Sequence, residues 1–194
     1  VIEGIGHWGQ ATFRPSDAPT NLTRGLAQAL FRAAPELETT GFTEDDLTGL
    51  LHETPEQASG PLRAGLRNAA EAIAEEEGLP EPPEARLLLT IDQLEEIFTL
   101  GAVDEEKCRG FAEAVRALTE SGLVWTVASI RSDFFPRLSE VEALRDLKQG
   151  DGNYDLDPPS FAELGRMIRG PVRAAGLRFE EDPDRGLGLG EALH

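Results

Sequence analysis

The chain has 194 residues, 40% of them apolar and 28% charged, which fits one domain of ordinary size or a domain with pieces of its neighbours. The 36 acidic and 18 basic side chains give a net charge of −18, and this negative field argues against general binding to nucleic acids or anionic membranes. The single cysteine excludes an internal disulfide and a zinc site with several cysteine ligands.

Two further features bear on where the protein works. The sequence has no run of about 18 apolar residues, so no membrane span is predicted. Its first six residues, VIEGIG, lack a methionine, a basic region and a cleavable apolar stretch. They do not resemble a signal peptide, and we expect the sequence to begin inside a longer protein. Together with the single cysteine, these features predict a cytoplasmic protein.

The first part of the chain predicts one short strand followed by helices. Residues 8–13 are rich in strand-forming side chains and end at Arg14-Pro15. A helix follows with Leu22, Leu26 and Leu30 at four-residue spacing. A weaker pattern predicts a short helix at 47–51, and a clearer helix opens at Pro61 and closes at Gly78, where a glycine commonly ends a helix.

The middle of the chain predicts a strand, a helix and a second strand. Residues 87–91 are a continuous apolar run that ends abruptly at Asp92, and residues 124–130 form a second run of the same kind. Such runs are typical of buried strands in parallel sheets. A helix over 104–121 separates them. The order predicts an α/β fold in which helices flank a parallel sheet.

The last part of the chain predicts helices joined by turns. Capping boxes, in which a glutamate follows a serine by three residues, start at Ser139 and Ser160. A short strand is possible at 154–156, and the helix after Ser160 is predicted to stop at Gly170-Pro171.

The stretch from Leu87 to Leu100 carries the main candidate for chemistry. Ligands of α/β sheets bind at the carboxyl ends of the strands, where Asp92 lies. A carboxylate there can hold the water shell of Mg²⁺, which prefers oxygen ligands. Glu95 or Glu96 can then orient or deprotonate an attacking water. Nucleotide binding is compatible with the negative charge because it needs only a local pocket of amides and Mg²⁺.

Each candidate has a purely structural alternative. Asp92 can cap a following helix with Glu95 as its capping-box partner. Arg131 ends the next strand, so its guanidinium can contact a terminal phosphate near Asp92 and report its loss. It can equally form an ion pair with Asp133 or with an acidic helix start. The residue pattern leaves these alternatives open.

Four characteristic blocks follow one another along the sequence. They are WGQATFRPSDAP from Trp8, LLLTIDQLEEIFTL from Leu87, SIRSDFF from Ser129, and YDLDPP with IRGPV and AGLRFE from Tyr154 onward. In this order they resemble the novel STAND NTPase family of bacteria, which are signalling P-loop nucleotidases. The resemblance extends from about Trp8 to Glu180, and the block DQLEEIF is its most specific part.

The resemblance implies a role for each candidate residue. Asp92 corresponds to the Walker B aspartate on Mg²⁺, Glu95 and Glu96 to the acidic pair after it, and Arg131 to the sensor arginine. Pro171, in IRGP, is implied to lie near the nucleotide base. Residues 1–156 are implied to be the C-terminal portion of the NTPase domain, and residues 157–194 the beginning of the following helical region.

The resemblance also implies a biological setting. Members are ATP- and Mg²⁺-dependent switches that form homo-oligomers when activated, in bacterial signalling or phage defence. The NTPase domain typically lies between an effector domain and repeats such as WD repeats in the same chain. No nucleic-acid or membrane partner is expected.

One motif of this class is missing from the sequence. The phosphate-binding Walker A loop needs G-x-x-x-x-G-K-[ST], and the two lysines, Lys107 and Lys148, do not follow glycine. The resemblance places this loop before Trp8, so we expect a fragment that does not hydrolyse ATP, or bind ATP and Mg²⁺ tightly, by itself. We also expect its sheet to expose an unpaired edge or an apolar face. A degenerate scaffold that binds partners without catalysis, and an unrelated α/β binding module, remain alternatives.

Overall fold

A computed structural model describes residues 5–149 and 152–177 of the chain. The chain divides into two compact units, Val1–Asp151 and Gly152–His194. Each unit is described by itself below. The predicted boundary between NTPase domain and helical region, at 156/157, stays a prediction.

Residues 5–149 contain a three-stranded sheet in which neighbouring strands are parallel. Its strands, in spatial order, are β1 (Ile5–Phe13), β2 (Glu84–Ile91) and β3 (Val124–Ala128). The last residues of the three strands pair with one another, so the strands end level at one edge of the sheet. The predicted parallel α/β sheet is confirmed.

Helices fill the connections between the strands. Within residues 5–149, three α-helices lie between β1 and β2, two lie between β2 and β3, and one follows β3. In chain order they are α1 (Leu22–Ala33), α2 (Glu44–Glu53), α3 (Ser59–Glu77), α4 (Glu96–Thr99), α5 (Glu105–Glu120) and α6 (Glu142–Leu147).

Capping residues fix several of these helix ends. The side chain of Asn21 accepts a hydrogen bond from the amide of Arg24 at the start of α1. Asp104 accepts the amide of Lys107 in the same way at the start of α5. Each such cap stabilises the protein by about 1 kcal/mol. Gly78 ends α3 in the left-handed conformation, with φ of 65°, as its position in the sequence predicts.

One face of the sheet forms the core. Alternate residues of β2, Leu87, Leu89 and Ile91, are buried on this face, as the two-residue period of a strand requires. Helices α1 and α5 pack against it, and Phe111 of α5 contacts Phe13 with ring centroids 5.5 Å apart.

The opposite face of the sheet is partly open. Trp125 and Val127 of β3 are 44% and 58% exposed, so the prediction of a fully buried second strand is wrong. The rings of Trp8 and Trp125 pack edge to face on this open side, with centroids 5.4 Å apart. The exposed apolar face expected from the sequence is present, because the helices described for residues 5–149 bury the other side.

The region after β3 differs from the sequence prediction at Ser139. A 3₁₀ helix, Phe135–Glu140, includes Ser139, and α6 begins only after Val141, with no side-chain cap. The hydroxyl of Ser139 instead accepts a hydrogen bond from Lys148, at 2.6 Å. The predicted capping box is therefore absent.

The described part of the second unit contains α7 (Phe161–Ala174). Its capping box, formed by Ser160 and Glu163, is confirmed. The prediction that the helix stops at Gly170-Pro171 is wrong. Pro171 removes one amide donor, but its carbonyl oxygen still accepts the amide of Ala175 at 2.9 Å, so the helix continues past it. The possible strand at 154–156 is not formed, since residues 152–177 offer it no partner strand.

No helix among the described residues is both long enough and apolar enough to cross a membrane.

The close contact of α1 with β1 gives a test of this packing. A Cβ added at Gly9 would lie 2.7 Å from the backbone oxygen of Ala33 and 2.6 Å from Leu87 Cδ2. Gly9→Ala is therefore expected to lower the free energy of unfolding by about 1–3 kcal/mol, as measured by urea denaturation.

Gly110→Ala is the matched control. Gly110 lies in α5, and a Cβ there meets nothing within 4 Å. This substitution is expected to raise the free energy of unfolding by about 0.5–1 kcal/mol. Equal effects at the two positions would contradict the packing of α1 on β1.

Candidate functional site

Polar side chains gather where the three strands end. Because Phe13, Ile91 and Ala128 pair across the sheet, the segments that follow them begin at the same edge. We refer to residues 14–16, 92–96 and 129–131 as the strand-end rim. This edge is where ligands of parallel α/β sheets bind.

Asp92 is held from both sides. Its amide donates a hydrogen bond to the carbonyl of Phe13 at 2.9 Å. On the other side, the hydroxyl of Ser129 donates to Asp92 Oδ1 at 2.7 Å and accepts the amide of Gln93 at 2.9 Å. Asp92 remains exposed to solvent. Its carboxylate is thus anchored through one oxygen at the open end of the central strand.

Gln93 gives the turn after Asp92 its shape. It has a φ of 56°, a left-handed conformation that is uncommon for residues other than glycine. Its side-chain oxygen accepts a hydrogen bond from Arg14, and its amide is bound by Ser129. The turn is therefore fastened to the segments after both neighbouring strands.

Glu96 links the segments after β1 and β2. Arg14 Nε lies 3.2 Å from Glu96 Oε1, and the amide of Ser16 donates to Oε2 at 2.8 Å. Both carboxylate oxygens therefore already accept hydrogen bonds from the protein. In the described structure Glu96 supports the shape of the strand-end rim.

Glu95 links the segments after β2 and β3. It is only 8% exposed, and its Oε2 accepts the amide of Arg131 at 3.3 Å. The guanidinium of Arg131 makes two hydrogen bonds with the carboxylate of Asp133, at 3.1 and 2.8 Å, and lies over the ring of Phe134. The ion-pair alternative for Arg131 is therefore what the structure contains.

The structure also decides the alternative for Asp92. The following helix, α4, begins at Glu96 and has no side-chain cap, so Asp92 is not a helix cap and Glu95 is not its partner. Asp92, Glu95, Glu96 and Arg131 all belong to the strand-end rim. Pro171 lies in α7 of the second unit, and its predicted place near a nucleotide base stays a prediction.

Sequence reasoning missed Ser129, Gln93 and Arg14. Ser129 is the first residue after β3 with a polar side chain, so the rule that singled out Asp92 after β2 would also have found it. Arg14 follows β1 directly and fits the same rule. Gln93 gave no signal, because its role depends on backbone conformation.

The oxygen atoms of the strand-end rim can bind Mg²⁺ only together with ligands from a nucleotide and from water. No group of three or more acidic, histidine or cysteine side chains able to hold a metal occurs within residues 5–149 or 152–177. Asp92 and Ser129 offer oxygen atoms, which Mg²⁺ prefers. Magnesium in nucleotide sites commonly has one or two carboxylates, with phosphates and waters as its other ligands. Asp92 fits such a site. The described residues do not form a site in which the protein alone supplies the ligands of the metal.

The parallel sheet with its flanking helices is consistent with an α/β fold of the NTPase type. The family model described as novel STAND NTPase 1 matches residues 2–187, and the chain belongs to this family. No curated protein and no solved structure matches the chain. Membership in this family makes the chain a nucleotide-binding module of the switch type.

Cys108, near the start of α5, is not an activated nucleophile. Charged neighbours at a helix start can lower the pKa of a thiol, but Cys108 is buried. Burial raises its pKa to about 11, and the positive charge of Arg137 offsets this only in part. The thiol is therefore protonated near neutral pH.

This pKa gives a test based on pH. Because only the thiolate reacts with iodoacetamide, Cys108 of the folded protein is expected to label slowly at pH 8. Labelling should accelerate only as the pH approaches about 11, and should be fast at pH 8 in urea. Fast labelling of the folded protein at pH 8 would contradict the burial of Cys108.

Proposed function

We propose that the strand-end rim binds the Mg²⁺ of a bound ATP, and that the full-length protein hydrolyses this ATP as part of a molecular switch. The observation that carries the proposal is the placement of Asp92. Its exposed carboxylate stands at the end of the central strand, with its backbone bound to β1 and Oδ1 bound to Ser129 after β3. Family membership supports a nucleotide as the ligand.

Glu95 and Glu96 have different roles in this proposal. Both oxygens of Glu96 accept protein donors, from Arg14 and Ser16. Among the described residues, Glu95 accepts a hydrogen bond through Oε2 only. We therefore assign to Glu95 the orientation or deprotonation of the attacking water, and to Glu96 a supporting part in the catalytic acidic pair.

Arg131 contacts the terminal phosphate in the proposed switch. Its side chain is 66% exposed, and it pairs with Asp133 at the surface. Surface ion pairs contribute only about 0–1 kcal/mol, so a phosphate can replace Asp133 at little cost. The amide of Arg131 is also bound to Glu95. Loss of the phosphate would therefore act directly on Glu95, the residue that orients the water.

Hydrolysis of ATP also requires a phosphate-binding loop. The 194 residues contain no G-x-x-x-x-G-K-[ST], so tight binding of ATP and Mg²⁺ is proposed for the full-length protein and not for these residues alone. We also propose, from the family, that Pro171 lies near the base, and that the active form is a cytoplasmic homo-oligomer in bacterial signalling or defence. Its effector and repeat domains would belong to the same chain.

A scaffold without catalysis is the second candidate. Two observations favour it: the missing lysine motif and the exposed apolar face with Trp125 and Val127, which offers a surface to a protein partner. In such a protein, Asp92 would hold the sheet edge together without binding metal.

Substitution of Asp92 separates the two candidates. In the full-length protein, Asp92→Asn removes the charge that attracts Mg²⁺ but keeps an acceptor for Ser129. Mg²⁺-dependent affinity for a fluorescent ATP analogue is expected to fall by at least the ~10- to 100-fold that follows loss of a metal site's outer partners. Asp157→Asn, an equal charge change at an exposed position of the second unit, should leave this affinity unchanged.

Arg131→Ala tests the proposed phosphate contact in the same full-length protein. It should keep Mg²⁺-dependent affinity for the analogue but lower the turnover of ATP, measured as phosphate release, by about 10²-fold or more, the usual effect of removing a donor to a developing charge. Wild-type protein without turnover, together with Asp92→Asn protein of unchanged affinity, would favour the scaffold.

A further inference from the structure

We infer that Ser129 is a positioning residue, whose hydroxyl orients Asp92 toward the metal of the bound nucleotide. The inference rests on the proposed function. It concerns a side chain that contributes no charge and that the geometry of the sheet edge brings to the metal-binding carboxylate.

The direction of both hydrogen bonds at Ser129 is fixed by chemistry. The amide of Gln93 can only donate, so the Ser129 oxygen, 2.9 Å away, must accept. The one hydroxyl proton is then free to point at Asp92 Oδ1, at 2.7 Å. Asp92 therefore accepts this hydrogen bond through Oδ1.

This bond restricts a side chain that is otherwise exposed. Asp92 lies in solvent at the end of β2, where a free carboxylate would rotate among several rotamers. With Oδ1 tied to Ser129, Oδ2 and the second lone pair of Oδ1 remain for the water shell of Mg²⁺. Outer partners of this kind commonly tune metal affinity by orienting the ligand.

The backbone of Ser129 is held independently of its hydroxyl. Its amide donates to the carbonyl of Ile91 at 2.9 Å, and its carbonyl accepts the amide of Leu94 at 2.9 Å. Removing the hydroxyl leaves both backbone bonds in place. The amide of Gln93, which loses its acceptor, lies at the exposed edge, where water can replace the hydroxyl. Ser129→Ala therefore tests orientation rather than folding.

The chain offers a matched control three residues further on. Ser132 follows in the same connection and is exposed, and its hydroxyl makes no hydrogen bond with the described residues. Ser132→Ala is the same chemical change without contact to Asp92. Ser129→Thr keeps the hydroxyl, and the exposed position of Ser129 leaves room for the added methyl group.

Mn²⁺ serves as the metal probe, because its free ion is quantified by electron paramagnetic resonance. The full-length protein, saturated with a non-hydrolysable ATP analogue, is titrated with Mn²⁺. Ser129→Ala is expected to raise the Mn²⁺ dissociation constant by about tenfold. Ser129→Thr should restore the wild-type value, and Ser132→Ala should match it. Affinity for the analogue without metal should not change in any of these variants.

The outcomes separate this inference from the function on which it rests. If Asp92→Asn weakens Mn²⁺ binding and Ser129→Ala does not, the role of Ser129 is overturned while the proposed function stands. If Asp92→Asn itself has no effect, the proposed function fails. A Ser129→Ala loss that also appears for the analogue without metal would overturn the inference, because it would indicate a general disturbance of the site.

Discussion

The level ending of three parallel strands is the constraint on which the site depends. Because Phe13, Ile91 and Ala128 pair across the sheet, the segments after them meet within hydrogen-bonding distance. The amide of Asp92 binds the end of β1, while its carboxylate binds Ser129 after β3. A shift of register by one residue would turn these side chains to the other face of the sheet. The site is thus a direct consequence of strand register.

Hydrogen bonds at the sheet edge join the segment after β2 to the segment after β1 and to the segment after β3. Glu96 and Gln93 bind the segment after β1 through Arg14, and Glu95 binds the segment after β3 through the amide of Arg131. A ligand that moved Arg131 would therefore act on the turn that holds Asp92. This arrangement suits a nucleotide-binding module of the switch type. The surface pair of Arg131 with Asp133 is weak enough to be exchanged.

Much of this arrangement could be predicted from local sequence. The continuous apolar run before Asp92 correctly indicated a buried strand of a parallel sheet, and the same logic placed Arg131 after its neighbour. Prediction from the sequence failed where the burial of a side chain depends on which element packs over it. Trp125 has the apolarity of a core residue, but the helices of the first unit lie on the other face. The prediction that the helix stops at Pro171 failed because the loss of one amide donor near the end of α7 does not break the helix.

The most direct test of the account is the position of the metal itself. Crystals of the full-length protein with a non-hydrolysable ATP analogue and Mn²⁺, measured at a wavelength where manganese scatters anomalously, would locate it. We expect an anomalous peak beside the Asp92 carboxylate, with Ser129 still hydrogen-bonded to Oδ1. A peak elsewhere, or bound nucleotide whose metal does not approach Asp92, would rule out Asp92 as the metal ligand.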